Sequence, residues 1–400
     1  MGVHPDDTIR RMPRPGAESA PPPLTDLLDD ERLLQTSVGE FAATVIAPLV
    51  RRMDAEAAIP RTLIDQLFAL GVMGVEIPEG LGGAGGRFFH AVLIVEALSR
   101  VDPAVAVLVD VQNTLVVNAI LRWGREDQRE RWLPRLASRH VGAYALSEAE
   151  AGSDAFALRT RAREAEGGFV LDGRKLWITN AHEADLFIIF ATVNPDAGHH
   201  GLTAFVVDRD APGLRIGRKE DKLGIRASST CELVLEHCPV AANDVLGPIG
   251  QGYKVAIETL NEGRIGIGAQ MVGLAAGALD HALRYTKERR QFGRAIADFQ
   301  GVQFQLARAA TDLAAVRLLV YNAARLRDRD QPFTTEAAMA KLAASETAER
   351  IASLAINLFG GAGFVKESPV EKLYRDAKIG QIYEGTSNLQ LQTIAKHLIG

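Results

Sequence analysis

The sequence predicts an α+β protein in three parts: a helical segment, an antiparallel β domain, and a second helical segment forming a four-helix bundle. Three observations predict it. Apolar residues recur at three- and four-residue spacing before about residue 140 and again after about residue 253. Between them, residues 141–250 read as short apolar runs separated by turn residues, with no helices alternating between the strands. The chain has 400 residues, which suits two or three domains of about 150 each. The expected boundaries are a tail at 1–23, a helical domain at 24–140, the β domain at 141–250 and the bundle at 251–400.

Composition narrows the function classes. Hydrophobic residues make up 47%, enough for packed cores. The net charge of −5 leaves no basic footprint for nucleic acid. Two cysteines, Cys231 and Cys238, cannot build a disulfide framework, so a reducing compartment is expected. No apolar run approaches the ~18 residues of a membrane span. The tail to Pro23 is rich in Pro, Arg and acids and reads as disordered. Its Arg10, Arg11 and Arg14 suit a mitochondrial presequence, but Asp6, Asp7 and Glu18 do not. A cytoplasmic location is expected, with the mitochondrial matrix as the alternative.

The elements follow in order. Thr25 and Asp26 offer a cap for a helix carrying Leu27, Leu28, Leu33, Leu34, Val38 and Phe41, which Pro48 interrupts. Pro60 opens a helix with Leu63, Leu67 and Leu70 inward, and Gly71 ends it. Ala91–Leu98 and Ala104–Ile120 are buried helical runs, and Gln128–Leu136 is amphipathic. Gly80-Leu81-Gly82-Gly83-Ala84-Gly85 matches G-x-G-x-x-G, but no strand precedes it, so a loop is expected. Phe169–Ile178 reads as a hairpin with Asp172-Gly173 in its turn. Leu186–Val193, Leu202–Val207 and Cys231–Leu235 read as strands, with turn chemistry at Asp210–Gly213. Residues 253–286, 300–328 and 335–358, with a final helix through Leu389, Ile394 and Leu398, complete the bundle.

Five segments carry candidate chemistry, each with a plainer reading beside it. Tyr144 through Asp154, including Leu146, Ser147, Gly152 and Ser153, offers hydroxyls and free amides that can pair with the edge of a flat heterocycle, or is a turn loop. Trp177 and Thr179 share a strand face around Ile178, suited to a flavin ring or to a core. Glu288 through Gly293, with Arg289, Gln291 and Phe292, supplies a planar fork for a pyrophosphate, or a solvated helix end. Asn357 through Gly363, with Gly360 and Gly361, lets backbone approach phosphate, or caps a helix. Gln381 through Gln390 sets Glu384 between Tyr383 and Gly385, ahead of a helix that Thr386 or Ser387 caps. A carboxylate there is a positioned base, or an acid stabilised by the helix dipole. His199 and His200 are adjacent on a loop without a third ligand, so no metal is expected.

These five segments, in this order along a helical–β–helical chain, resemble the acyl-CoA dehydrogenase family over about residues 24–400. Val207–Leu214, Lys222–Cys231 and Leu260–Ile267 bring the resemblance closest to its short/branched-chain (2-methylacyl) members. The resemblance implies FAD as cofactor, an acyl-CoA substrate, an electron-transferring flavoprotein as acceptor and a homotetramer. It implies that Tyr144 through Ser153 line the flavin, with Ser147 bonding the ring and Ser153 also touching substrate. Trp177 through Thr179 lie beside the flavin. Arg289, Gln291, Phe292, Gln300 and Asn357 through Gly361 hold the ADP half from a neighbouring subunit. Thr386 and Asn388 add FAD contacts. Tyr253, Asn261, Glu262, Gly263, Arg264, Tyr383 and Gly385 contact acyl-CoA, and His199 stands where a relative has a tyrosine touching CoA.

The implied reaction removes a proton from Cα and a hydride from Cβ of the thioester, with donors on the thioester oxygen. In some members the base comes from the position of Gly263, which has no side chain here. Glu262 is one residue along, about 100° round a helix. The resemblance therefore makes Glu384 the base, with Glu148 and Glu262 poor rivals. Two alternatives remain at this point. One is an acyl-CoA oxidase-like flavoenzyme using oxygen, and the other a non-catalytic acyl-CoA or flavin-binding subunit.

Overall fold

The computed structural model describes residues 23–400. All but the last residue of the expected tail lies outside them, so the disordered reading and the compartment it bears on do too.

The N-terminal part comprises α1 (Asp29–Phe41), α2 (Val50–Glu56), α3 (Arg61–Ala69), α4 (Phe88–Ser99), α5 (Pro103–Asp110), α6 (Asn118–Trp123) and α7 (Glu126–Ser138). Helix α1 starts later than the Thr25–Asp26 cap would place it. The Leu28 N–H donates to Glu31 Oε2 at 3.0 Å, and Arg325 and Arg87 hold the same buried carboxylate. Glu31, three residues into the helix, caps this start, and the two arginines hold its carboxylate in place. The G-x-G-x-x-G match falls on a 3-10 turn and loop between α3 and α4, with no strand before it.

The run expected at Ala104–Ile120 is helical but not uniform, because Val111–Val117 is a π-helical stretch between α5 and α6. Polar Gln112 and Asn113 sit inside the core there, and both are satisfied. Asn113 accepts the Val75 N–H and donates to the Val72 and Val109 carbonyls. Gln112 donates to the Leu136 and His140 carbonyls and accepts the Gly142 N–H. Pro103–Trp123 is long and apolar enough to cross a membrane, which departs from the expectation that no run came close. Its apolar window is 94% buried inside the protein, so its apolarity is that of a core helix. The stretch Asp29–Glu56 passes the same test but is broken by π and 3-10 turns over Ala42–Leu49.

The β part comprises β1 (Gly142–Ala145), β2 (Arg161–Ala165), β3 (Gly168–Thr179), β4 (Leu186–Thr192), β5 (Leu202–Asp208), β6 (Leu214–Lys219), β7 (Thr230–Ala241) and β8 (Val245–Leu246). Their order is β6-β7-β3-β2-β4-β5-β8, with β1 beside β4. The sheet is mixed rather than wholly antiparallel: β1 runs parallel to β4, and β2 touches β4 in parallel at one residue pair. A parallel pair needs a long connection, which residues 146–185 supply without any short-range signal. The Phe169–Ile178 hairpin is not formed. Those residues lie in the single strand β3, and Asp172-Gly173 marks a register shift within it. A Cβ on Gly173 would lie 2.5 Å from Thr160 Oγ1, so the glycine serves close strand approach, not a turn. The turn joining β2 to β3 falls at Glu166-Gly167, with Gly167 at φ 80°.

Strand β4 is buried on both faces, and its alternation divides two cores. Leu186, Ile188 and Phe190 face the helical core. Phe187, Ile189 and Ala191 face a smaller core inside the β part.

The C-terminal part comprises α8 (Gly252–Glu288), the strands β9 (Arg290–Gln291) and β10 (Arg294–Ala295), then α9 (Gln300–Asp328), α10 (Thr334–Phe359), α11 (Pro369–Ala377) and α12 (Ser387–Ile399). Helices α8, α9, α10 and α12 are the four long ones expected, and α11 is additional. Helix α8 carries the packing. Cβ atoms on Gly273 and Gly277 would each lie 2.2 Å from a backbone oxygen of the α4 end, Glu96 O and Arg100 O. Only glycine admits that approach.

Candidate active site

Glu384 lies on the short segment between α11 and α12, at φ 50°, followed by Gly385 at φ 85°. A non-glycine residue in the left-handed region is strained and needs surroundings that hold it. Two side chains do so. Gln390 Nε2 donates to the Glu384 and Gly385 carbonyls at 3.1 and 2.9 Å, and Lys341 Nζ donates to the Gly385 carbonyl at 2.6 Å. Gln390 and Lys341 are both fully buried. Thr386 caps α12, its Oγ1 accepting the Leu389 N–H at 3.4 Å, while Ser387 Oγ is enclosed without a partner. Asn388 follows on the first turn of α12, exposed.

The Glu384 carboxyl faces Gly263 on α8: a Cβ there would lie 2.9 Å from Oε2. Oε2 is enclosed and has no hydrogen-bond partner. Burial pushes the carboxyl up to about 7, against the opposing pull of Lys341 and Arg264. Burial likewise pushes the Lys341 amine down to about 8, with Glu384 opposing. Arg264 Nη1 donates to Asn261 Oδ1 at 3.0 Å, while its Nε is enclosed and unpartnered. Tyr144 is buried on β1 with Oη unpartnered, and burial with Glu384's charge raises its phenol further. The Tyr383 hydroxyl donates to Gln270 on α8.

Glu262, expected among the acyl-CoA contacts, and Glu148, named with it as a poor rival base, are both committed elsewhere. Glu262 does not share the Glu384 side of α8. It is buried in an ion network with Arg122 at 2.9 Å and Arg327 at 3.2 Å, and accepts Asn118 Nδ2 at 2.7 Å. The helical turn of one residue explains it, and the carboxylate braces α8 rather than facing the Glu384 pocket. Glu148 is also committed: Lys175 Nζ lies 2.7 Å away, and the Arg159 N–H, the Thr160 N–H and the Thr160 hydroxyl all donate to it. Lys175 also donates to the Leu146 carbonyl at 3.1 Å, so this pair shapes the Leu146–Ser153 loop from below.

That loop meets the end of β3, where the Leu176 N–H donates to the Ser147 carbonyl at 2.9 Å. Trp177 follows at φ 58° with its side chain half exposed, Ile178 points into the β core, and Thr179 is half-buried. Gly152 and Ser153 are exposed at the loop's far end. Tyr253, at the start of α8, packs edge-on against His199 and His200 at 4.8 and 5.3 Å between ring centroids. Among the described residues, no three His, Cys, Asp or Glu side chains gather closely enough to hold a metal ion.

Arg289, Gln291, Phe292, Gln300, Asn357, Gly360 and Gly361 form a separate exposed set where α8 and α10 end together, joined by the Tyr285–Phe359 stack at 4.0 Å. Twenty-six residues separate Gly263 from Arg289 along α8, about 39 Å at ~1.5 Å per residue. One chain does not bring this set to Glu384. Asp110, Lys175, Lys341 and Gln390, by contrast, stand in or under the site with no sequence signal, since each sits in an ordinary helix or strand pattern.

The comparisons with known proteins fit this arrangement. Residues 28–140, 143–238 and 250–399 match the N-terminal, middle and C-terminal domains of acyl-CoA dehydrogenase. A probable short/branched chain specific acyl-CoA dehydrogenase of Dictyostelium discoideum is 54% identical over 94% of this chain and 92% of its own. Butyryl-CoA dehydrogenase from Megasphaera elsdenii superposes with TM-score 0.92 and 39% identity, covering 94% of this chain and 99% of its own. A glutaryl-CoA dehydrogenase from Mycobacterium smegmatis, solved in complex with FADH2, superposes with TM-score 0.88 and 32% identity over 93% and 95%. The chain belongs to the acyl-CoA dehydrogenase family, oxidoreductases acting on acyl-CoA.

Proposed function

We propose that this chain oxidises a short or 2-methyl-branched acyl-CoA to the 2-enoyl-CoA, with Glu384 taking the α-proton. One observation carries the reading. Glu384 Oε2 is enclosed, unpartnered, poised near neutral pH and flanked by Lys341 and Arg264. A free glutamate, at about 4.3, is too weak a base for a thioester α-proton. Burial strengthens it, while the two cations keep the carboxylate form within reach. The proton ends on the Glu384 carboxyl, and the thioester oxygen gains charge that the Glu384 N–H helps to stabilise. The relatives' names support the short or branched acyl chain, and a difference of one methylene between such substrates is worth about 1–3 kcal/mol.

FAD is the cofactor, and the residues present suit it. The half-exposed Trp177 side chain offers a flat ligand an aromatic surface at the end of β3. Ser387 Oγ, at the start of α12, is enclosed without a partner that a polar ligand would supply. Tyr144, Leu146, Ser147, Gly152, Ser153, Trp177, Ile178 and Thr179 would hold the cofactor from the β part, and Thr386 and Asn388 from the α12 end. When bound, FAD supplies the acceptor for the Cβ hydride. The remoteness of Arg289, Gln291, Phe292, Gln300, Asn357, Gly360 and Gly361 supports their serving the FAD of a second copy, in a homo-oligomer of the tetrameric kind. Tyr253, His199, Asn261 and Arg264 would hold the acyl-CoA, and an electron-transferring flavoprotein would take the electrons onward.

Glu384→Gln tests the assignment. The variant should keep its yellow FAD and lose at least ~10²-fold in anaerobic flavin bleaching by substrate, the low end for a general base. Unchanged bleaching would sink it.

A further inference from the structure

On α8, Thr259, Gly263, Gly266 and Gln270 are spaced by four, three and four residues, so they share one face. Glu384 occupies that face at Gly263, and the acyl-CoA enters from the Tyr253 end in the function proposed above, on which this inference rests. An acyl chain running past the base along this face meets Gly266 next, about 4.5 Å on at ~1.5 Å per residue.

Asp110 stands there. A Cβ on Gly266 would lie 1.9 Å from Asp110 Oδ1 and 2.7 Å from its Cγ, so the carboxyl rests against the helix backbone. Nothing can pass between them. The residue is 1% exposed, and Thr114 Oγ1 donates to Oδ1 at 3.1 Å, which fixes it in place. Burial, with the Glu384 charge adding to it, holds the Asp110 carboxyl well above the usual carboxylate range. One turn further, the Tyr383 hydroxyl meets Gln270 on the same face.

We propose that Asp110 sets the acyl-chain length limit: its carboxyl, seated on Gly266 one helical turn beyond the base, closes the α8 face to longer chains. Leu115, which touches the Gly263 position from the π-helical stretch, walls the same space but leaves the Gly266 side to Asp110.

The test compares the holoenzyme with Asp110→Ala and the near-isosteric Asp110→Asn, using anaerobic flavin bleaching by butanoyl-CoA and octanoyl-CoA. The ratio of kcat/KM for octanoyl-CoA over butanoyl-CoA should rise at least ~10-fold in Asp110→Ala, the low end for opening a pocket. It should stay at the wild-type value in Asp110→Asn, which preserves the volume. Thr114 keeps a second acceptor in the Asp110 carbonyl at 2.9 Å, so the alanine variant leaves no hydroxyl stranded. If that variant does not retain FAD, Asp110→Ser takes its place with the same expected rise. An unchanged ratio in the smaller variant overturns the proposal, as does an equal rise in Asp110→Asn. The two readings fail separately. A wild-type enzyme that bleaches with no acyl-CoA removes the dehydrogenase reading and this proposal together, whereas an unchanged ratio in an active enzyme removes Asp110 alone.

Discussion

Glu384 Oε2 fills the space a side chain at position 263 would need: a Cβ on Gly263 would lie 2.9 Å from Oε2 and 2.9 Å from Leu115 Cδ2. Gly263→Ala must therefore push the carboxyl or Leu115 aside. Overpacking of this kind costs about 1–3 kcal/mol. We expect a lower Tm and a fall of roughly tenfold or more in flavin bleaching, because a base must sit within hydrogen-bond reach of its proton. A variant bleaching at the wild-type rate would show that the carboxyl has room to spare.

The same burial makes activity and stability respond to pH in opposite senses. The Glu384 carboxyl lies near 7 in the folded chain against an ordinary 4.5. In the proposed role of Glu384, proton abstraction needs the carboxylate, so kcat/KM should climb with pH to a midpoint near 7. In folding, the native state keeps a proton between 4.5 and 7 that the unfolded state has released. Stability from this group therefore declines as pH rises through that window. Glu384→Gln should gain on the wild type as pH rises from about 4.5 to about 8, by at most about 3 kcal/mol at ~1.36 kcal/mol per pH step. Denaturant midpoints at both pH values check the sign; a gap independent of pH would contradict it.

Lys341 was invisible in the sequence because it lies on an ordinary helical stripe, and only the fold brings its amine to the Gly385 carbonyl. The same holds for Asp110, far from Glu384 in sequence and buried in a stretch that reads as a core helix. Local signals did mark a turn at Glu384-Gly385 ahead of a helix capped by Thr386 or Ser387, of which Thr386 is the cap, and a strand running through Trp177, since turn residues, caps and alternation are short-range. They failed at Asp172-Gly173, where a strand crossing close to Thr160 needs the same dipeptide that a tight turn prefers. They failed again at the parallel pairing of β1 with β4, which depends on a long connection and leaves no local mark.

Replacing Lys341 by Met removes the stronger of the two cationic pulls on Glu384 and the donor to Gly385. Without it the carboxylate is disfavoured further. The midpoint of the kcat/KM profile should move upward, by about one pH step if the lost attraction is near 1.4 kcal/mol. Lys341→Arg should restore part of the shift. A midpoint that stays in place, with only Tm lowered, would make Lys341 a structural residue alone.

Lys175 and Glu148 form a buried pair beneath the Leu146–Ser153 loop, 2.7 Å apart. Burial pushes the Lys175 amine down to about 8, and Glu148 draws it back up. Lys175→Met strands the Glu148 carboxylate and withdraws a donor from the Leu146 carbonyl. Breaking one side of a buried pair costs about 3–5 kcal/mol. The variant should lose Tm and release FAD more readily on gel filtration, while Lys175→Met combined with Glu148→Leu should recover part of the Tm. No recovery in the double variant would mean that the pair's worth lies in loop geometry rather than in charge balance.

The remote set around Arg289 gives a test of shared sites. If Arg289 and Gln300 serve the FAD of another copy, each complete site draws Glu384 from one chain and the remote set from a second. Chains carrying Glu384→Gln and chains carrying Arg289→Ala with Gln300→Ala should each bleach poorly alone. Co-expressed with different tags and purified as hybrids, they should regain activity. A two-fold interface gives each mixed dimer one intact site and one doubly defective site, so purified hybrids should approach roughly half of wild-type activity. The recovery needs no new contact, only a different division of intact residues between chains. Hybrids as inactive as either parent would place the remote set and Glu384 in the service of one chain's site, against the length of α8 that separates them.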